Sequence, residues 1–129
     1  MKYHKEDGKY RYVLDENFGY QIDLLDERTF SGYVLLLSNG RLLFTTEYAW
    51  DGSSIPFKWL LGMFHDFDKF SLEASLVHDG LYQLMRLGLL DKKHKDYADK
   101  LYRNMCIMGG LSTLKADVRY WALKHFGRI

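Results

Sequence analysis

The sequence predicts an α+β fold: a small N-terminal antiparallel β-sheet, followed by three to four helices. Three observations carry that reading. Alternating apolar and polar residues fill the first part of the chain and stop before residue 50. An Asp-Gly turn and the only proline follow, in Trp50-Asp51-Gly52-Ser53-Ser54-Ile55-Pro56. Beyond it the apolar spacing becomes helical and stays so almost to the end. Residues 1–50 are thus mainly β and 51–129 mainly α, within a single domain spanning 1–129.

Residues 9–48 read as strands. Lys9 to Leu14 alternates, as does Gly19 to Leu24. Gly32 to Leu37 meets Arg41 to Thr46 across Ser38-Asn39-Gly40, a hairpin in which both Asn39 and Gly40 tolerate positive φ. Pro56 suits the first turn of a helix through Phe57-Lys58-Trp59-Leu60-Leu61. A second helix runs from Ser71 to Arg86 with Gly88 as its stop; Leu72, Leu76, Leu81, Leu84 and Met85 supply its apolar side. A third runs from Lys92 to Met108 and ends at Gly109-Gly110. The fourth takes Ser112 as N-cap and continues to Phe126. The helix carrying His78 and Asp79 is expected to pack on the one that follows.

Composition excludes several classes. With 47% hydrophobic and 27% charged residues, the chain can bury a core and is not a disordered segment. A net charge of +1 gives no bulk field toward nucleic acid. Aromatics reach 16%, which means either a large aromatic core or a sticky surface for a protein partner or a second copy. The single cysteine, Cys106, rules out an internal disulfide; beside Met105, Ile107 and Met108 it reads as core rather than nucleophile. Met1 to Asp7 has no apolar signal-peptide core, and the run Val34 to Leu37 is far too short to span a bilayer. An intracellular location is the expectation.

The chemistry concentrates in Leu76-Val77-His78-Asp79-Gly80-Leu81-Tyr82 and Tyr97-Ala98-Asp99-Lys100-Leu101. On a helix, His78 and Tyr82 stand one turn apart on one face, with Asp79 on the neighbouring face. Asp99 comes from the next helix. A histidine with one carboxylate facing it and another beside it is what a water-activating site needs. The facing acid fixes the tautomer, and the adjacent acid can hold a cation.

These stretches, with Ala74-Ser75 before and Tyr102 after, resemble the paired-helix motif of phospholipase A2 enzymes, in the disulfide-free form found in parvovirus capsid proteins. The resemblance implies His78 as the base, Asp79 as a calcium ligand, and Tyr82 and Asp99 as the pair supporting the histidine; the substrate would be a lipid ester. A wider resemblance takes in the loop. Asp51-Gly52-Ser53-Ser54-Ile55-Pro56, His78-Asp79-x-x-Tyr82 and Ala98-Asp99 are similar to a small domain family of unknown function encoded mostly by bacteriophages and prophages. It implies a protein of the host cytoplasm or the virion.

The calcium reading departs from the phospholipase pattern at one point. Calcium takes six to eight oxygens, yet no glycine-rich loop precedes His78, so Asp51, Gly52, Ser53 and Ser54 are the candidates for further oxygens or for holding a small polar or phosphorylated ligand. His65, Asp66 and Asp68 offer metal-type donors at close spacing, but read better as a loop anchored by neighbouring aromatics. Lys92-Lys93-His94-Lys95 reads as a solvated helix start, a small patch for anionic lipid at most. Three functions follow: a hydrolase built on His78 and Asp99, a non-enzymatic phage accessory protein that binds a partner, or a pocket that holds a polar ligand without turning it over. The hydrolase requires a cleft open to solvent; the accessory protein requires a closed His78 and a large exposed apolar patch.

Overall fold

Short strands paired across long stretches of chain build the N-terminal half. The structure, a computed structural model, describes residues 1–6, 11–51 and 71–129. The helix expected at 57–61, and the candidates Gly52, Ser53, Ser54, His65, Asp66 and Asp68, lie outside the described residues. Among the described residues two antiparallel sheets form where the sequence predicts one. In the first, β1 (Tyr3–Lys5), β2 (Tyr12–Leu14) and β7 (Ala49–Trp50) lie in that order. In the second, β3 (Phe18–Gln21), β4 (Thr29–Phe30), β5 (Val34–Leu36) and β6 (Arg41–Phe44) lie in the order β3-β6-β5-β4.

The β5–β6 hairpin forms at the expected place with a different turn. Gly40 alone takes the left-handed conformation, at φ +85°; Asn39 does not. Leu37 N–H donates to Arg41 O, and Gly40 N–H donates to Leu37 O. This is a three-residue loop closed by a glycine bulge rather than a two-residue turn. Gly40 is doubly constrained, because a Cβ there would stand 2.2 Å from the Ile22 carbonyl oxygen. Ile22 N–H in turn donates to Gly40 O, which ends β3 at Gln21 and removes 22–24 from the expected strand.

Among the described residues three helices follow: α1 (Leu72–Arg86), α2 (Lys95–Met108, preceded by a 3-10 turn at Lys92–His94) and α3 (Thr113–Phe126). Glycine stops α1 and α2 as the sequence predicts. Gly88, at φ +74°, donates to Met85 O while Leu89 donates to Leu84 O; Gly110, at φ +111°, donates to Ile107 O while Leu111 donates to Cys106 O. The Ser112 hydroxyl accepts from Lys115 N–H and caps α3. None of the three helices is long and apolar enough to cross a membrane.

The core lies between the second sheet and α1, and α2 covers the other side of α1. Val34, Leu36, Leu42 and Phe44 of the sheet are buried in one hydrophobic cluster with Leu76, Val77, Leu81 and Leu84 of α1. Trp50 Nε1–H donates to the Ser75 hydroxyl at 3.0 Å, which fastens the first sheet to α1. Gly80 sets the helix-to-sheet distance, since a Cβ there would stand 2.4 Å from the Phe44 ring. Gly80→Ala therefore sets about 1 kcal/mol of helix propensity against about 1–3 kcal/mol of overpacking on a ring that cannot move. The expected result is net destabilisation, read as a lower denaturation midpoint at unchanged slope.

Candidate active site

The α1–α2 packing that buries the apolar stripe also buries the polar residues between the helices. His78, Tyr82 and Asp99 are each 3% exposed or less. Asp99 Oδ1 accepts from His78 Nε2 at 2.8 Å and from the Tyr82 hydroxyl at 2.6 Å. The His78 and Tyr82 rings lie 4.0 Å apart, as residues one helical turn apart should, and Tyr102 meets His78 edge-on at 5.5 Å. The structure thus brings together the three residues singled out as His78, Tyr82 and Asp99. Gly127 leaves room for the arrangement, because a Cβ there would stand 2.8 Å from the Tyr82 hydroxyl.

A fourth member comes from Lys95. Its ammonium donates to Asp99 Oδ2 at 2.9 Å and to Leu123 O, also at 2.9 Å, so it joins the buried carboxylate to the C-terminal end of α3. The reading of Lys92 to Lys95 as a solvated helix start holds only for the exposed Lys92 and Lys93. His94 meets Glu27, and Lys95 turns inward because Asp99 has a second oxygen to satisfy. An i, i+4 pair was the available signal. Lys95→Met is expected to cost about 1–3 kcal/mol, since the carboxylate and a helix-end carbonyl both lose a donor. Thermal denaturation at neutral pH measures it.

The two ring nitrogens of His78 face different carboxylates. Asp99 holds Nε2, and Asp79 Oδ1 lies 3.9 Å from Nδ1. Burial by itself pushes the imidazole down, but Asp79 and Asp99 outweigh it and hold His78 above its ordinary value. Burial pushes Asp99 up, and His78, Tyr82 and Lys95 overcome that, holding its carboxyl below the usual range. Burial and the adjacent Asp99 raise the Tyr82 phenol, which therefore stays a neutral donor.

Asp79 also borders a cleft of about 220 Å³, lined by Tyr48, Trp50, Asp51, Tyr82, Gln83 and Arg86 among others. Asp79, Tyr82, Gln83 and Arg86 fall at i, i+3, i+4 and i+7, so a single face of α1 forms one wall. Asp51 faces it from the end of β7. Tyr48 registers the charges in this cleft: burial and Asp79 raise its phenol, Arg86 opposes them, and Asp51 adds to them. Arg86, Tyr48 and Gln83 were not singled out in the sequence; Arg86 had only its helical offset from Asp79 to mark it. His78 is not in the wall but touches two residues that are, with Nδ1 3.9 Å from Asp79 Oδ1 and its ring 4.0 Å from that of Tyr82.

Asp79 and Asp51 bring two carboxylates to one cleft, hard oxygen donors of the kind calcium takes. Among the described residues no group of three His, Cys, Asp or Glu side chains forms a metal cluster. Among the described residues, any further oxygens for a cation would come from carbonyls, amides or hydroxyls. Cys106 is buried in the core beside Arg119, where the apolar spacing places it.

Fold and site define an α+β protein with a buried histidine–aspartate–tyrosine constellation behind a polar cleft. The chain belongs to DUF1353, a family of proteins of unknown function, whose model matches residues 38–123. That span runs from the β5–β6 hairpin into α3 and takes in Asp51, His78, Asp79, Tyr82, Lys95 and Asp99. No curated protein and no solved structure matches the chain.

Proposed function

We propose that this protein is a small hydrolase in which His78 takes a proton from water. One observation carries the reading: Asp99 accepts from both His78 Nε2 and Tyr82, which fixes the imidazole with Nδ1 turned toward Asp79, a residue of the cleft wall. In the neutral ring the proton then sits on Nε2, and Nδ1 keeps the lone pair that a base requires. As water attacks, the imidazolium that forms is stabilised by a carboxylate already desolvated and held by Lys95 and Tyr82.

The sequence resemblance to phospholipase A2 suggests a lipid ester as substrate, and the cleft is compatible with one. Arg86 offers a guanidinium for a phosphate, and Asp79 with Asp51 would hold a calcium ion. Bound there, calcium would supply a positive charge for the ester carbonyl. In a phage setting such an activity would serve lysis or membrane passage.

The burial of His78, at 3% exposure, favours a second reading: a phage accessory protein that binds a partner or a small polar ligand, with the network serving as scaffold. Calcium calorimetry and hydrolysis of phosphatidylcholine in mixed micelles, on wild type and on Asp79→Asn, separate the two. The hydrolase reading expects saturable calcium binding that Asp79→Asn weakens at least tenfold, by about 1.4 kcal/mol or more, and turnover that falls with it. Turnover absent in wild type with calcium present would leave the binding protein.

A further inference from the structure

A sheet packed on helices by one face usually turns polar residues to solvent on the other. The four-stranded sheet departs from this rule. Its registers place Gly19 beside Leu43, Leu43 beside Leu35, and Leu35 beside Phe30. Neighbours across strands share a face, and Leu42, Leu36 and Phe44, their neighbours along the strands, are buried toward the helices. The row of Gly19, Leu43, Leu35 and Phe30 therefore crosses all four strands on the outer face. Tyr33, 49% exposed, and Phe30, 60% exposed, stand over it.

Gly19 admits a charge to that row. With no side chain of its own, it leaves its place to the Arg41 guanidinium, whose Nη2 would lie 2.7 Å from a Cβ there, and to Leu43 Cδ2, at 3.0 Å. Beside them lies a hollow of about 290 Å³, mostly apolar and near the lower end of the size range of small-molecule sites. One charge lies in it. The Arg41 guanidinium borders the hollow and makes no hydrogen bond or ion pair with any described residue. No carboxylate is among the residues that line the hollow.

We infer that this outer face is a second binding site, separate from the His78 cleft, for an amphiphilic anion: an acyl or aromatic body with a single carboxylate, sulfonate or phosphate group. The apolar floor takes the body, and Arg41 takes the head as a fork of donors with nothing else to satisfy. A second copy of the chain fits the hollow less well. Face-to-face pairing would bring Arg41 against a hollow that holds no acid. The inference stands on the sheet alone and does not depend on the hydrolase reading.

The probe is dodecanoate, titrated into the full chain by calorimetry below its micelle concentration, with dodecanol as the uncharged control. Wild type is expected to bind one dodecanoate saturably and about tenfold more tightly than dodecanol, the size of one charge-assisted pair at a part-exposed site. Arg41→Gln is expected to remove that tenfold advantage and leave dodecanol unaffected. Phe30→Ser, at an exposed position the core does not need, is expected to weaken both ligands. Circular dichroism and gel filtration confirm that each variant keeps its fold. Absence of saturable binding to wild type overturns the inference, as does an affinity that neither substitution changes. A wild-type dimer that Phe30→Ser dissolves also overturns it and makes the face a contact between copies.

Discussion

Asp99→Ala is expected to cost about 3–5 kcal/mol of stability, the scale for removing one partner from a buried charged network. Asp99 accepts from His78 and Tyr82 through one oxygen and from Lys95 through the other, so its loss strands three donors at once. A domain of this size is stable by only about 5–15 kcal/mol, so the variant is expected to lose a large share of its stability. Asp99→Asn keeps the shape and one acceptor oxygen. It is expected to fold at a cost of about 1–3 kcal/mol, because its amide must point at a donor. Urea denaturation of both variants against wild type measures the difference. Equal, small losses would show that the network is solvated rather than sealed.

The second large effect is on activity and carries a pH signature. His78→Asn is expected to lower turnover about 10²–10⁴-fold, the usual share of a general base. His78 must be neutral to act, and its value is held above the ordinary 6.5 by Asp79 and Asp99. Turnover is therefore expected to rise with pH and reach half-maximum above 6.5. Stability runs the opposite way. A group raised in the folded state binds its proton more tightly there than in the unfolded chain. The stabilisation from His78 is full below about 6.5, where both states are protonated, and is lost as pH climbs through the raised folded value. Asp99, held low, contributes stability above its ordinary value of 3.8 and loses it as pH falls through the lower folded one. Wild type is thus expected to outlast His78→Asn most clearly between those limits and to lose that margin in alkali. Thermal melts across pH on both proteins measure it.

The helices and their caps were legible because their signals are local: apolar residues at helical spacing, Ser112, Gly88 and Gly110. The pairing of His78 with Asp99 was legible for a related reason. Each residue fell on the face that a two-helix packing turns inward, and the intervening chain is short. The division into two sheets was not. Ala49–Trp50 pairs with Tyr12–Val13, and Thr29–Phe30 pairs with Leu35–Leu36, in strands of two to four residues that carry no period of their own. Asn39 illustrates a turn decided by register, since the extra loop residue leaves only Gly40 left-handed. Lys95 read as solvent-facing because the α3 carbonyl that it meets lies 28 residues further along the chain.

In the proposed hydrolase, Asp99 holds the proton on His78 Nε2 and leaves Nδ1 to accept one from water. The ¹⁵N spectrum of the His78 imidazole from about pH 5 to about pH 9 tests it most directly, with ester hydrolysis followed on the same samples. The expected result is a titration midpoint above 6.5, a neutral ring protonated on Nε2, and hydrolysis that appears as Nδ1 loses its proton. A neutral ring protonated on Nδ1, or a ring that titrates as described while no ester is hydrolysed at any pH, would contradict it.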